Sequence, residues 1–363
     1  MFRVRLIEHP MPTGSKDPDV LLAWILDSMG LVRWKAEGTT VDEEQGAIHR
    51  IIMQTFLKDP LIGWDNAAIS DFSGLSMTAV HNQMQKLREA GIIASKLSGR
   101  WHVNVLRGGS MAKAMELVSA QTRVIAKMRL DELGDVVKNS EKRMNMVSED
   151  SNDVFRIDIS ESGPTPDGGD RLDAWIVDMG IAGDRVKIGD DLPRRVLIEL
   201  AESERPLTLQ TLSDRTESTR SRTQRIIERL RDAGIIERVA MRDRIAMDVY
   251  AGLMRQYNAR GEEWLLGRGG LGRLEETVTK DLITGAKKDN LSIEKVEDIL
   301  TPVPIESQRI LLNTLGGRMP YGYRVAGSDS DAVTERVMQM IERNLRRLRT
   351  VAKRLDDSIN DSL

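Results

Sequence analysis

Arginine and short polar side chains are concentrated in one stretch of the sequence that has helical periodicity. Its front half holds three arginines and no acidic residue. A guanidinium can donate two hydrogen bonds to guanine O6 and N7 or hold a phosphate, and hydroxyl and amide groups suit phosphate or base-edge contacts. The stretch therefore predicts double-stranded DNA as the partner. The residues expected to contact it are Ser218, Thr219, Arg220, Ser221, Arg222, Thr223, Gln224, Arg225 and Arg229.

The pattern around this stretch predicts the elements that would position it. A short amphipathic segment at 207–214 and the stretch itself, at 218–233, have the apolar spacing of two helices. Gly234 stands where a helix C-cap needs a left-handed residue. Two strands at 236–240 and 244–249 are expected to follow as a hairpin. That hairpin would carry three further arginines toward the DNA: Arg238, Arg242 and Arg244.

The end of the second helix and the basic hairpin resemble a known superfamily. Leu230-Arg231-Asp232-Ala233-Gly234-Ile235-Ile236 is similar to the recognition-helix end of prokaryotic winged-helix regulators of the MarR and ArsR type. The resemblance covers roughly Leu192 to Val249. It implies a winged helix-turn-helix and a DNA-binding transcription regulator. The alternative is a solvated helix face whose arginines pair with Glu217, Glu228 and Asp232; position on a recognition helix favours DNA contact.

The same order of features occurs twice, which indicates internal duplication. Phe2–Glu8 returns as Phe155–Glu161, a helix with Trp24 returns with Trp175, and Leu87–Ile93 returns as Leu230–Ile236. In this register a first winged helix lies at about 48–105. Its hairpin is expected to turn at Ser98-Gly99, with Trp101, Val103 and Val105 facing inward.

The two copies differ in the charge of the predicted recognition helix. The front half of the first, 75–82, has no charged residue, and Leu75, Met77, Ala79 and Val80 make it apolar. Both DNA contact and protein packing are therefore open for the first copy, and the second is expected to be the main DNA contact. The residues of the first copy that could read bases or hold phosphates are Ser76, Thr78, His81, Asn82, Lys96 and Arg100.

The fold class expected is mainly α with small β-hairpins, as two tandem winged-helix domains plus a C-terminal helical region. The predicted domains are 1–150, with its winged helix followed by a helix at 110–146; 151–290, with a winged helix at about 191–250; and 291–363. In the last helix an apolar seam recurs at spacings of three and four. It either dimerises the protein as a short coiled coil or packs on its own domain. Its residues are Met338, Ile341, Leu345, Leu348 and Leu355.

Composition excludes several classes of function. The chain has 363 residues and no cysteine, and its four histidines form no close ligand pair, so neither a metal site nor a cofactor is expected. No apolar run is long enough for a bilayer and no signal peptide is present, so no membrane partner and a cytoplasmic location are expected. No P-loop, nucleophile arrangement or paired metal motif indicates an enzyme.

Two functions remain compatible with the sequence. The first is a DNA-binding transcription regulator with tandem winged helices. The second is a winged-helix adaptor or architectural protein that mediates protein–protein or chromosome assembly. The arginine-rich second helix favours the first, because a pure adaptor has no need of it.

Overall fold

The computed structural model describes residues 1–32, 46–144, 154–163, 170–183 and 190–362. These are mainly helical, with small antiparallel sheets, as the sequence predicts. The helices are α1 (Pro18–Ser28), α2 (Gly46–Ile51), α3 (Asn66–Ser73), α4 (Met77–Glu89), α5 (Met111–Asp131), α6 (Arg171–Asp178), α7 (Leu192–Glu202), α8 (Leu209–Arg215), α9 (Arg220–Asp232), α10 (Arg242–Leu266), α11 (Glu276–Lys287), α12 (Ile293–Leu300), α13 (Ile305–Thr314) and α14 (Ser330–Ser362). The strands are β1 (Arg3–Ile7), β2 (Ile93–Ser98), β3 (Trp101–Leu106), β4 (Arg156–Ser160), β5 (Ile236–Ala240) and β6 (Tyr321–Val325), paired β1–β4, β2–β3 and β5–β6.

Capping residues begin and end helices at matching places in the two repeats. Asp65 starts α3 and Thr208 starts α8, each accepting a hydrogen bond from the amide three residues on. Gly91 and Gly234 follow α4 and α9 with φ of 73° and 75°. Only glycine enters that region at little cost, so each helix ends where the sequence predicts.

The first three-helix unit consists of α2, α3 and α4 with the hairpin β2–β3. The hairpin turns at Ser98-Gly99, as predicted, and Trp64 joins β3 through two backbone hydrogen bonds to Asn104 of 2.8 and 2.7 Å. Trp101 does not face inward: it is 75% exposed. It lies at the tip of the hairpin, beyond the end of the core.

The second predicted hairpin is wrong. β5 pairs with β6, with Ile236 opposite Val325, and residues 244–249 lie in α10. Ile245 and Val249 fit the alternation of a strand, but they are also four residues apart. Leu253 continues that helical spacing, and all three side chains are buried. The helical period therefore prevails over the strand period.

Helices α10 to α13 form a unit inserted between β5 and β6, called here the inserted helical unit. It has a core of its own, in which α10 packs on α11, α12 and α13. Gly261, with φ of 79°, interrupts the regular geometry of α10. The unit is connected to the sheet at the C-terminal end of β5 and the N-terminal end of β6.

The second three-helix unit consists of α7, α8 and α9 with the sheet β5–β6. Leu207 bridges to Tyr323 on β6, as Trp64 bridges to β3 in the first unit. A long helix then follows each sheet: α5 after β3 and α14 after β6. Ser110 and Asp329 cap these helices through matching side-chain bonds, so α14 is the counterpart of α5.

The predicted dimerisation seam is buried within the chain. Ile341, Leu345, Leu348 and Leu355 are at most 1% exposed, and Met338 packs against the same core. This core runs through both repeats, with α14 packed along α5 and against α1. The seam therefore packs within the chain, but against α5 and α1 of the first repeat and not on its own predicted domain. A coiled coil between two chains would have to displace α5.

The predicted domain boundaries at 150 and 290 do not coincide with a boundary between structural units in the described residues. The boundary at 150 lies outside the described residues, and the one at 290 lies within the inserted helical unit. The predicted C-terminal region therefore divides: α12 and α13 belong to the inserted helical unit, whereas β6 and α14 belong to the main core. The helix predicted at 110–146 ends as α5 at Asp131, and short helical turns follow at 132–135 and 141–144. Residues 145 and 146 are outside the described part of the chain.

Candidate nucleic-acid interface

One face of α9 is buried, and the opposite face is cationic. Ile226, Ile227 and Leu230 enter the core with Thr223, whose hydroxyl donates to the carbonyl of Thr219 at 3.3 Å. The predicted DNA contact through Thr223 is therefore not available on the surface. The side chains that α9 and its N-cap expose over the first two turns are Thr219, Arg220, Ser221, Arg222, Gln224 and Arg225.

In the part of the chain that the structure describes, the arginines of this face do not form ion pairs with Glu217, Glu228 or Asp232, the acidic residues expected to neutralise them if the face were merely solvated. Arg222 donates to Asp190 at 3.0 and 3.1 Å, and both side chains are partly exposed. Within the described ranges, Arg220 and Arg225 form no ion pair. Glu228 accepts a hydrogen bond from Gln224 at 2.8 Å instead. The face therefore keeps a positive charge, and the Asp190 contact is weak enough, at an exposed pair, for a phosphate to displace it.

Arg229 points away from this face. Its guanidinium donates to the carbonyls of Ile181 and Ala182 at 3.1 and 3.0 Å, and it lies directly against Gly183. Arg229 therefore holds α9 against the loop after α6, and its prediction as a DNA contact is wrong. The hydroxyl oxygen of Ser218, just before the helix, is buried, so the predicted DNA contact through Ser218 is not available on the surface either.

The three arginines assigned to the second hairpin are dispersed. Arg238 lies on β5 with its guanidinium carbon 4.4 Å from the ring centroid of Tyr321. Arg244 is exposed, but it lies on α10. The side chain of Arg242 is outside the described part of the structure. The basic wing predicted for the second copy is therefore not formed by these residues, because the chain enters the inserted helical unit at that point.

The first three-helix unit presents a neutral helix and a basic hairpin. Thr78, His81 and Asn82 are exposed on α4, and Ser76 caps the helix by accepting from the Ala79 amide. Val80, predicted to contribute to an apolar surface, is fully buried. The hairpin β2–β3 exposes Lys96 and Arg100 beside its tip.

Large apolar side chains are exposed around that hairpin and α4, and sequence reasoning identified only part of them. Met77 was identified, and it is 52% exposed. The others are Leu61, Ile62, Phe72, Leu97 and Trp101. Phe72 lies edge-on to Trp64, with ring centroids 5.2 Å apart. The signal that could have found Leu61 and Ile62 is their place in the connection between helices, where no apolar period requires burial.

Buried charge holds the sheet that supports α9. Glu237 on β5 forms ion pairs with Arg324 on β6, at 2.8 Å, and with Arg336 on α14, at 2.9 Å. The side chains of Glu237 and Arg324 are 1% and 2% exposed. Nearby, Arg143 donates to the carbonyls of Ala201 and other residues, and burial lowers the pKa of its guanidinium. These bonds fix β5, and thereby the C-terminal end of α9, in one orientation.

The exposed arginines and hydroxyl groups of α9 can bind an anion such as a phosphate. In the described part of the chain no cluster of three His, Asp or Glu side chains could hold a metal ion. None of the described helices is long and apolar enough to cross a membrane. Comparison with known protein families, curated proteins and solved structures gives no match.

Proposed function

We propose that the protein is a DNA-binding transcription regulator whose two three-helix units are tandem winged helices, of the kind found in MarR and ArsR regulators. Double-stranded DNA is its partner, and it acts in the cytoplasm without a cofactor. In each unit two short helices and a strand bridge precede a longer helix and a two-stranded sheet, the order of a winged helix-turn-helix. The second unit is the main DNA contact.

The observation that carries this proposal is the exposed face of α9. It follows α8 in the place of a recognition helix, and Arg220, Arg222 and Arg225 project from it among short polar side chains. Cations at that position meet phosphates or guanine edges when the helix enters a major groove. Burial of Thr223 and Leu230 fixes which side of the helix can do so.

An adaptor function is the second candidate, and the exposed apolar side chains of the first unit favour it. Met77, Leu97 and Trp101 lie on α4 and the adjacent hairpin, where a protein partner could cover them. This candidate accounts for the first unit but leaves the cationic face of α9 without a role.

Binding of the full chain to a random-sequence duplex, measured by fluorescence anisotropy at several salt concentrations, tests the proposal. Changing Arg220, Arg222 and Arg225 together to alanine should weaken binding at least tenfold and make the log-affinity slope against log-salt shallower by roughly one unit per lost phosphate contact. The three side chains are exposed, so the variant should unfold at nearly the same urea concentration.

A matched control removes the same charge elsewhere. Arg268, Arg273 and Lys280 are exposed on the inserted helical unit, and changing them to alanine lowers the net charge equally. If the control weakens binding as much as the α9 variant does, general electrostatics and not α9 explains the affinity. Unchanged binding of the folded α9 variant would refute the proposal.

A further inference from the structure

The two repeats meet in a sheet whose register is self-complementary. β1 and β4 are antiparallel, and Arg5 lies opposite Asp158. Arg5 and Asp158 occupy the same position in the two repeats, three residues after Phe2 and Phe155. The flanking pairs show the same exchange: Arg3 lies opposite Ser160, and Arg156, the counterpart of Arg3, lies opposite Ile7, the counterpart of Ser160. Two strands related by a two-fold axis have this register.

Backbone hydrogen bonds just beyond the two strands have the same two-fold symmetry. The amide of Glu8 donates to the carbonyl of Phe155 at 2.8 Å, and the amide of its counterpart, Glu161, donates to the carbonyl of Phe2 at 3.1 Å. The counterpart helices α5 and α14 pack along each other. Sheet and helix pair therefore share one pseudo-two-fold axis within a single chain.

A second pair of counterpart residues meets on this axis. When the helix caps Ser110 and Asp329 are aligned, Arg123 on α5 and Glu342 on α14 occupy the same position, and they form an ion pair with each other. The hydrogen bond from Arg123 lowers the pKa of Glu342, and the same bond raises that of Arg123. Both pairs on the axis, Arg5–Asp158 and Arg123–Glu342, thus combine opposite charges at equivalent positions.

Two residues that meet on the axis can carry opposite charges only if the two repeats differ in sequence. In a symmetric dimer of one repeat, a residue on the axis meets a copy of itself, which would place two arginines or two carboxylates together. Asp158 is only 4% exposed, so an uncompensated charge there would be costly. The chain has therefore become specific for pairing its first repeat with its second.

We propose, on the basis of the proposed function, that one chain binds both halves of a single inverted-repeat DNA site, and that these halves differ in sequence. The pseudo-two-fold axis makes α4 and α9 counterpart elements, as the recognition helices of two subunits are in a symmetric dimer. No second copy of the chain is needed. The DNA recognised is thus an imperfect inverted repeat with one protein molecule bound.

The chemistry of the two helices assigns a base preference to each half. On α9, Arg220, Arg222 and Arg225 suit guanine, which accepts two hydrogen bonds from a guanidinium. On α4, Asn82 suits adenine, and the exposed side chains of Met77 and Thr78, each of which carries a methyl group, suit the methyl of thymine. The α9 half is therefore rich in G·C pairs, and the α4 half contains A·T pairs.

Selection of bound duplexes from a random pool by the full chain, followed by light scattering of the complex, tests this inference. A consensus of two unlike halves in inverted orientation, bound by one chain, is the expected result. Asn82→Ala should reduce discrimination about tenfold in the A·T half alone, and Arg225→Ala should do so in the G·C half alone.

Three results would overturn the inference while leaving the proposed function intact: two chains on one site, a consensus with identical halves, or a consensus with a single half. Equal effects of the two substitutions on both halves would also overturn it. If the full chain binds no duplex, or if the α9 substitutions leave its binding unchanged, the proposed function itself would instead be refuted.

Discussion

The amide of Met241 donates a hydrogen bond to the carbonyl of Pro320 at 3.1 Å. These two residues stand directly after β5 and before β6, and the whole inserted helical unit lies between them in sequence. The chain thus leaves the sheet and returns to it at the same point. Because the unit also has its own core, its removal should not open the core that joins the two repeats.

Deletion of residues 242–319, with Met241 joined to Pro320 by a short turn, should therefore give a folded chain. The two ends are already at hairpin distance, so the turn costs little loop-closure entropy. We expect cooperative urea unfolding and duplex affinity close to that of the full chain. Loss of cooperative unfolding would show that the inserted helical unit is part of the main fold.

Reversal of one charge on the axis should destabilise the chain, and reversal of both should restore it. Arg123→Glu places two carboxylates together at a partly exposed site, so we expect a loss of about 1 kcal/mol in the free energy of unfolding. Arg123→Glu combined with Glu342→Arg re-forms the pair in the opposite sense. Urea unfolding of the single and double variants measures the coupling, and additive losses would contradict it.

The same pair predicts a pH dependence of stability. Because the hydrogen bond from Arg123 lowers the pKa of Glu342 in the folded chain, the pair stabilises the fold above the ordinary glutamate value of about 4.3. This contribution is lost as the pH falls through the lowered value. Glu342→Gln should therefore be less stable than the parent at neutral pH and nearly equal to it in acid.

A control on the same helix separates this effect from general titration. Glu335 is exposed, and its carboxylate accepts a hydrogen bond from the side-chain amide of Gln339 at 3.4 Å. Glu335→Gln should follow the parent at every pH. A difference between Glu342→Gln and the parent that grows toward acid would contradict the assignment.

The buried carboxylate of the second sheet should be much more sensitive than a surface one. Glu237→Gln removes the carboxylate that lies 2.8 Å from the buried guanidinium of Arg324, and breaking this buried ion pair should cost about 3–5 kcal/mol in the free energy of unfolding. Glu306→Gln, which breaks an exposed pair with Arg309, should cost far less, because solvent screens the pair. Similar losses in the two variants, measured by urea unfolding, would contradict the role given to Glu237.

Local sequence determined the parts of this protein that depend on neighbouring residues. Gly91 and Gly234 end α4 and α9 because the backbone there is left-handed, and no other residue enters that region as readily. The apolar spacing of Ile226, Ile227 and Leu230 set the buried face of α9, and hence its exposed arginines. Sequence repetition alone also indicates the duplication.

Only the tertiary structure decided what depends on distant residues. Residues 245–249 fit a strand and a helix alike, and the core of the inserted helical unit selected the helix. The partner of β5 lies beyond that unit, where no local pattern could identify it. Arg229 has the same chemistry as Arg225, but contact with the loop at Ile181 turns it away from the exposed cationic face of α9. The seam of α14 had the spacing of a coiled coil, and its partner proved to be α5 of the same chain, because spacing fixes which face is buried and not against what.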